Sequence, residues 1–239
     1  MTYNASPTIP DTPENSDTPA SADKGSLVVE KLDYQTKKKV ADAVFHIRGV
    51  SESNEHINMT VKATNGATEP VLSKGASITI SDGVLKLTGI PAGVYEITEV
   101  SAPPHYSVAV GKNSQSVRVE NNAEVHPKVT FENQPYGSLT IRKIDAQTQE
   151  TLAGFYFQVI NHTTGFEQTV ETGKNGEVTI EDLTEGSYEV KELAARFDYI
   201  LDATPQIGEV DWGKETVVVM KNKKKPSVEI KKIDAETSE

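Results

Sequence analysis

The sequence contains no cysteine, which excludes disulfides, thiolate metal sites and cysteine nucleophiles. No apolar run approaches the roughly 20 residues that a membrane-spanning helix requires. Positive charge is in deficit: 24 Lys and Arg stand against 35 Asp and Glu, a formal net charge of −11. That balance argues against a nucleic-acid or anionic-membrane partner. The basic run KNKKK at residues 221–225 reads as a solvated link between repeats. His46, His56, His105, His126 and His162 are scattered singly, without metal-ligand spacing. No phosphate-cradling glycine loop, calcium loop or Ser/His/Asp set is present, so no metal and no cofactor is expected. Trp212 is the single tryptophan and is expected to pack in a core or between domains.

What the chain does contain is repetition. GSLVVEKLDYQT at residues 25–36 returns as GSLTIRKIDAQT at 137–148 and as PSVEIKKIDAET at 226–237. DGVLKLTGIPAGVYEITEV at 82–100 returns as NGEVTIEDLTEGSYEVKEL at 175–193, and a closing block ends in Asn133 and again in Asn222. This marks a tandem array. Residues 25–135 form the first unit and 136–225 the second. Residues 226–239 read as the first strand of a third repeat, expected to be loosely held without its partner strands. Residues 1–24, rich in Pro, Ser, Thr and Asp, read as a disordered linker. Relative to the second unit, the first carries 19 extra residues between Ile47 and Asp82. They fall in the polar stretch 50–81, from Val50 to Ser81, which has the look of an exposed loop.

Within each unit the period is two. Leu139, Ile141 and Lys143 alternate with Thr140 and Arg142, and Tyr188 and Val190 with Glu189 and Lys191. Short alternating strands divided by Asp-Gly, Asn-Gly and Glu-Gly turns predict an all-β chain of tandem antiparallel, immunoglobulin-like sandwiches. Asp145-x-x-Thr148 reads as the start of a turn.

Following the alternation to the strand ends exposes an anomaly. The inward row of the first strand runs Leu27, Val29, Lys31, Asp33 in the first unit and Leu139, Ile141, Lys143, Asp145 in the second. Glu99 and Glu192 occupy core positions on the middle strands, and Asn133 and Asn222 on the last. Three readings fit. The strand ends reach a solvated rim; or Lys and Glu form a buried salt bridge beside Asn; or the three react. Burial drives a lysine toward its neutral, nucleophilic form. A buried, protonated Glu can donate to the Asn amide oxygen, polarise the carboxamide and then carry protons to departing ammonia. The product is a Lys–Asn isopeptide bond, formed once.

The pattern K-x-D, then A-G-x-x-F, then G-x-Y-x-x-x-E-x-x-A-P, then a last strand ending in Asn resembles the Cna B-type, or SpaA-like, domain. Such domains build the stalks of Gram-positive adhesins and the shafts of sortase-assembled pili. The resemblance spans residues 25–239. It implies prealbumin-like sandwiches with intramolecular isopeptide bonds between Lys31 and Asn133 and between Lys143 and Asn222, with Glu99 and Glu192 catalytic. The sequence departs from the family pattern at Asp42, at Pro104-His105 and at Ala195-Arg196, all in loops. The family's Tyr-Pro-Lys-Asn linking motif is absent, and His126-Pro127-Lys128 is only a faint echo of it.

The expected role is therefore a structural stalk segment, extracellular and wall-attached, and not an enzyme beyond one self-crosslinking turnover. Its expected partners are neighbouring repeats and pilus subunits. The alternative is an adhesin module that recognises a host or matrix protein through residues 50–81.

Overall fold

Period-two patterning becomes fifteen strands, with no helix among the described residues of the computed structural model, which are 24–64, 77–108, 113–122 and 124–232. The linker at 1–24 lies outside them except for Lys24, which already belongs to the first strand. The first unit contributes β1 (Lys24–Asp33), β2 (Val44–Gly49), β3 (Asn58–Lys62), β4 (Ser77–Ser81), β5 (Val84–Pro91), β6 (Gly93–Ser101), β7 (Ser114–Val119) and β8 (Lys128–Asn133). The second contributes β9 (Gly137–Asp145), β10 (Tyr156–Asn161), β11 (Phe166–Glu171), β12 (Glu177–Leu183), β13 (Gly186–Ala194), β14 (Gln206–Val210) and β15 (Glu215–Asn222).

Each unit is a two-sheet sandwich. In the first, β4-β5-β1-β8 faces β3-β2-β6-β7, and in the second β12-β9-β15 faces β11-β10-β13-β14. The inward rows meet in two separate apolar cores. One is built around Leu27, Val29, Phe45, Ile97 and Phe131, the other around Leu139, Ile141, Phe157, Val190 and Met220. Tyr95 and Tyr188 are buried, and each hydroxyl donates to a backbone carbonyl four residues earlier, of Pro91 at 2.8 Å and Thr184 at 3.0 Å. A core position thus accepts a phenol because the fold supplies its acceptor.

The all-β tandem sandwiches are as expected, though their antiparallel-rich sheets are not antiparallel throughout: β1 pairs parallel with β8, and β9 parallel with β15. The two strands lie at opposite ends of the unit's sequence and run the same way. No hairpin constrains their direction, and the alternation is the same either way round.

The stretch 50–81 is not a single exposed loop either. It contains β3 and β4, and it buries Ile57, Val61, Ala63 and Ile78 in the core. The extra length supplies β4, an edge strand with no counterpart in the second unit. Asp82 and Gly83, both at positive φ (50° and 75°), turn β4 into β5. That pair matches the two-residue hairpin geometry for which Asp-Gly is suited. Residues 65–76 of the stretch lie outside the described set.

Residues 226–232 form no strand, and Val228 and Ile230 are exposed; residues 233–239 lie outside the described set. The basic run is only partly a link, since Lys221 and Asn222 close β15 and Lys224 bridges to Tyr199. Trp212 packs against Tyr136, ring centroids 6.0 Å apart, and its carbonyl accepts from Gln35 Nε2 of the first unit at 2.7 Å.

Candidate functional site

In each unit the parallel pairing decides which polar side chains meet. β1 and β8 align Lys31 with Phe131 and Asp33 with Asn133; β9 and β15 align Lys143 with Met220 and Asp145 with Asn222. Lysine and asparagine are therefore diagonal neighbours on the inward face. The opposite sheet brings Glu99 from β6 and Glu192 from β13 against them. All six residues are at most 2% exposed. Such burial removes the rim reading, because a group at the sandwich mouth would be wet.

The second unit is closely assembled. Lys143 Nζ donates to Glu192 Oε2 at 2.7 Å and to Asn222 Oδ1 at 2.5 Å, while Asn222 Nδ2 donates to Glu192 Oε1 at 2.6 Å. The carboxylate thus touches the lysine nitrogen with one oxygen and the amide nitrogen with the other. Sequence reasoning aimed the glutamate at the amide oxygen; the structure aims it at the amide nitrogen. Phe155 and Phe157 lie under the lysine, their ring centroids 5.1 and 5.6 Å from Nζ. Desolvation among these rings lowers the Lys143 pKa, against the opposing pull of Glu192.

The first unit brings together the same residues in a different arrangement. Asn133 Nδ2 again donates to the glutamate, Glu99 Oε1, at 2.9 Å. Lys31 Nζ lies 3.9 Å from that oxygen and donates instead to the backbone carbonyls of Leu32 (3.0 Å) and Phe131 (3.3 Å). Asn133 Oδ1 is buried with no hydrogen-bond partner among the described residues. Burial lowers the Lys31 pKa to about 8, with Glu99, Asp33 and Glu132 opposing it, and burial raises that of Glu99.

A fourth participant was missed. The Asp of each Lys-x-Asp motif is buried at the strand end. Oδ1 of Asp33 accepts the Gln35 and Thr36 amides, and Oδ1 of Asp145 accepts those of Gln147 and Thr148. The other oxygen accepts a tyrosine hydroxyl, from Tyr106 or Tyr199, at 2.9 Å in both units. The sequence signal was present: an aspartate at the same place in every copy and a tyrosine six residues beyond each middle block.

The remaining polar candidates have structural uses. Asn161 is buried and caps its own turn through the Thr163 and Thr164 amides, and Lys128 pairs with Glu30 at 2.9 Å.

The sequence profile of the SpaA prealbumin-like fold domain matches residues 25–135 and 137–224, one match per sandwich. The chain belongs to the SpaA prealbumin-like fold family. No curated protein matches it. Among solved structures, this SpaA-family chain is similar to the shaft pilin SpaA from Lactobacillus rhamnosus GG, at 12% identity and a TM-score of 0.48. That match covers 86% of this chain and all of the other. It is also similar to a streptococcal ancillary pilin, at 22% identity, TM-score 0.39 and 85% coverage, and to the Bacillus anthracis TIE protein, at 23%, 0.38 and 84%. It spans 63% of the length of the streptococcal structure and 34% of that of the Bacillus structure.

Proposed function

We propose that this chain is a structural stalk segment of a Gram-positive cell-surface adhesin or pilin, each unit locked by an isopeptide bond that it makes once on itself. The single observation that carries the reading is Glu192 held between Lys143 Nζ and Asn222 Nδ2 at 2.7 and 2.6 Å. Glu192 Oε2 takes a proton from Nζ, which leaves a neutral amine and a carboxylic acid. The amine attacks Asn222 Cγ, the Glu192 carboxyl passes its proton to Nδ2 as the Cγ–Nδ2 bond breaks, and the freed carboxylate takes the second proton that Nζ sheds in becoming an amide nitrogen and returns it to the departing ammonia. One Nζ–Cγ bond forms and one ammonia leaves, so no oxidant or co-reactant is needed. Lys31, Glu99 and Asn133 do the same in the first unit after Lys31 swings from its backbone carbonyls to the amide.

Membership of the SpaA family supports a pilin-type structural role and an extracellular, wall-attached location. The crosslinks would join β1 to β8 and β9 to β15, the strands through which force enters and leaves each unit. Neighbouring repeats of the chain and pilus subunits are the expected partners. Recognition of a host or matrix protein through residues 50–81 has less support, because much of that stretch is built into the first sandwich.

Intact mass tests the proposal. The expected result is a deficit of one ammonia per bond in fresh wild-type protein. A full, unmodified mass would falsify the covalent reading and leave a buried salt bridge.

A further inference from the structure

Building on the crosslinking reading above, we propose that Tyr106 and Tyr199 are positioning residues for bond formation. Each acts through the aspartate of its Lys-x-Asp motif to clasp the lysine-bearing strand against the asparagine-bearing strand and to shield the lysine from water.

The two units carry the same set of contacts. The tyrosine hydroxyl donates to Asp33 or Asp145, two residues beyond the lysine. The tyrosine segment also holds the chain just beyond the asparagine. Tyr106 bridges to Pro135 and the Ser107 amide donates to Gln134 O; Tyr199 bridges to Lys224 and the Ile200 amide donates to Lys223 O. The gripped strands are themselves tied at this end, where the Tyr34 and Ala146 amides donate to the carbonyls of Asn133 and Asn222, each at 2.9 Å. One side chain thus connects the residue after next from the nucleophile with the backbone after the electrophile. Neither strand is joined to the other by a short turn, so their relative position depends on such ties.

In the second unit the ring has a further role. Tyr199 is buried and packs edge-on to Phe155, centroids 5.5 Å apart, and Phe155 is the ring beneath Lys143. Loosening Tyr199 opens the lysine's apolar floor to water, which favours the unreactive ammonium. A displacement of about 1 Å between reacting groups lowers rates steeply.

The test is time-resolved intact mass and peptide mapping of freshly translated full chain, comparing wild type with Tyr199→Phe and with Asp145→Asn. The expected result is a roughly tenfold slower Lys143–Asn222 bond in either variant, while the Lys31–Asn133 bond in the same molecules keeps its rate. The rising limb of the rate against pH should also move upward for Tyr199→Phe. The charged groups facing Lys143 there are Glu192 and Asp202, both retained. Melting of each variant in an Asn222→Ala background measures the purely structural effect. An unchanged bond rate overturns the inference and leaves the crosslink standing. So does a slower rate with an unshifted pH profile that matches the loss of folded protein. Full mass in wild type overturns the crosslink itself, and the positioning role with it.

Discussion

Lys143 Nζ and Asn222 Oδ1 stand 2.5 Å apart, whereas Lys31 Nζ is turned toward the carbonyls of Leu32 and Phe131, and Asn133 Oδ1 has no partner among the described residues. On the proposed crosslinking, the second unit is poised to react, and the first must break two hydrogen bonds beforehand. At about 1 kcal/mol per bond, that difference corresponds to roughly a 5–30-fold lower reactive population. Peptide mapping during a pulse of synthesis should find the Lys143–Asn222 bond completed first. Simultaneous formation, or the reverse order, contradicts this ranking.

Glu192→Gln removes the proton carrier but keeps the side chain's shape. Its intact mass should rise by one ammonia relative to wild type, from the loss of one bond. The bond would close a loop between residues 79 apart in sequence. By analogy with disulfides, its loss should cost on the order of 4 kcal/mol. The second unit's calorimetric transition should then fall by roughly 20 °C while the first unit's stays in place. Glu99→Gln should give the mirror result.

The first unit should show a distinctive pH dependence once it cannot crosslink. In Asn133→Ala, Lys31 remains a buried amine with a pKa of about 8, against 10.5 when unperturbed. Between those values the unfolded chain binds more protons than the folded one, so stability rises with pH. Below pH 8 the cost of burying the ammonium is fully present, about 3 kcal/mol. Glu99, whose pKa burial raises, acts with the opposite sign: stability falls as pH rises through its folded value. Urea titrations at pH 8 and 10 measure the lysine effect. Lys31→Met/Asn133→Ala should lack that slope.

Gly137 opens β9 where a Cβ would meet Asp211 O at 2.4 Å and a Val210 methyl at 2.6 Å, and Gly25 opens the equivalent register of the first unit against Glu120 O at 2.3 Å. Backbone cannot yield as a flexible side chain can. Gly137→Ala should therefore destabilise the second unit by about 1–3 kcal/mol. Denaturant melts in an Asn222→Ala background avoid masking by the crosslink. An unchanged midpoint would show that β9 can shift to admit the methyl.

Much of the site was legible because a β-strand has a strict period of two. Lys31, Glu99 and Asn133 fall in step with Leu27, Tyr95 and Val129, so their burial follows from counting. The repeat made the count secure by presenting it twice. The tyrosine–aspartate clasp was not legible in this way. Tyr106 and Tyr199 lie beyond the alternating strands, on segments whose direction no periodicity sets.

The sequence by itself determined the repeat, the first, middle and last strands of each unit with their inward faces, and the six polar residues on those faces, because these depend on local alternation and on repetition. Only the tertiary structure decided that the first and last strands run parallel, that the extra residues of the first unit build β4, that glutamate faces the amide nitrogen, and that Lys31 and Lys143 point differently. Those outcomes depend on contacts between segments far apart in the chain, where pairing direction and rotamer are chosen by packing and by which buried polar groups find partners.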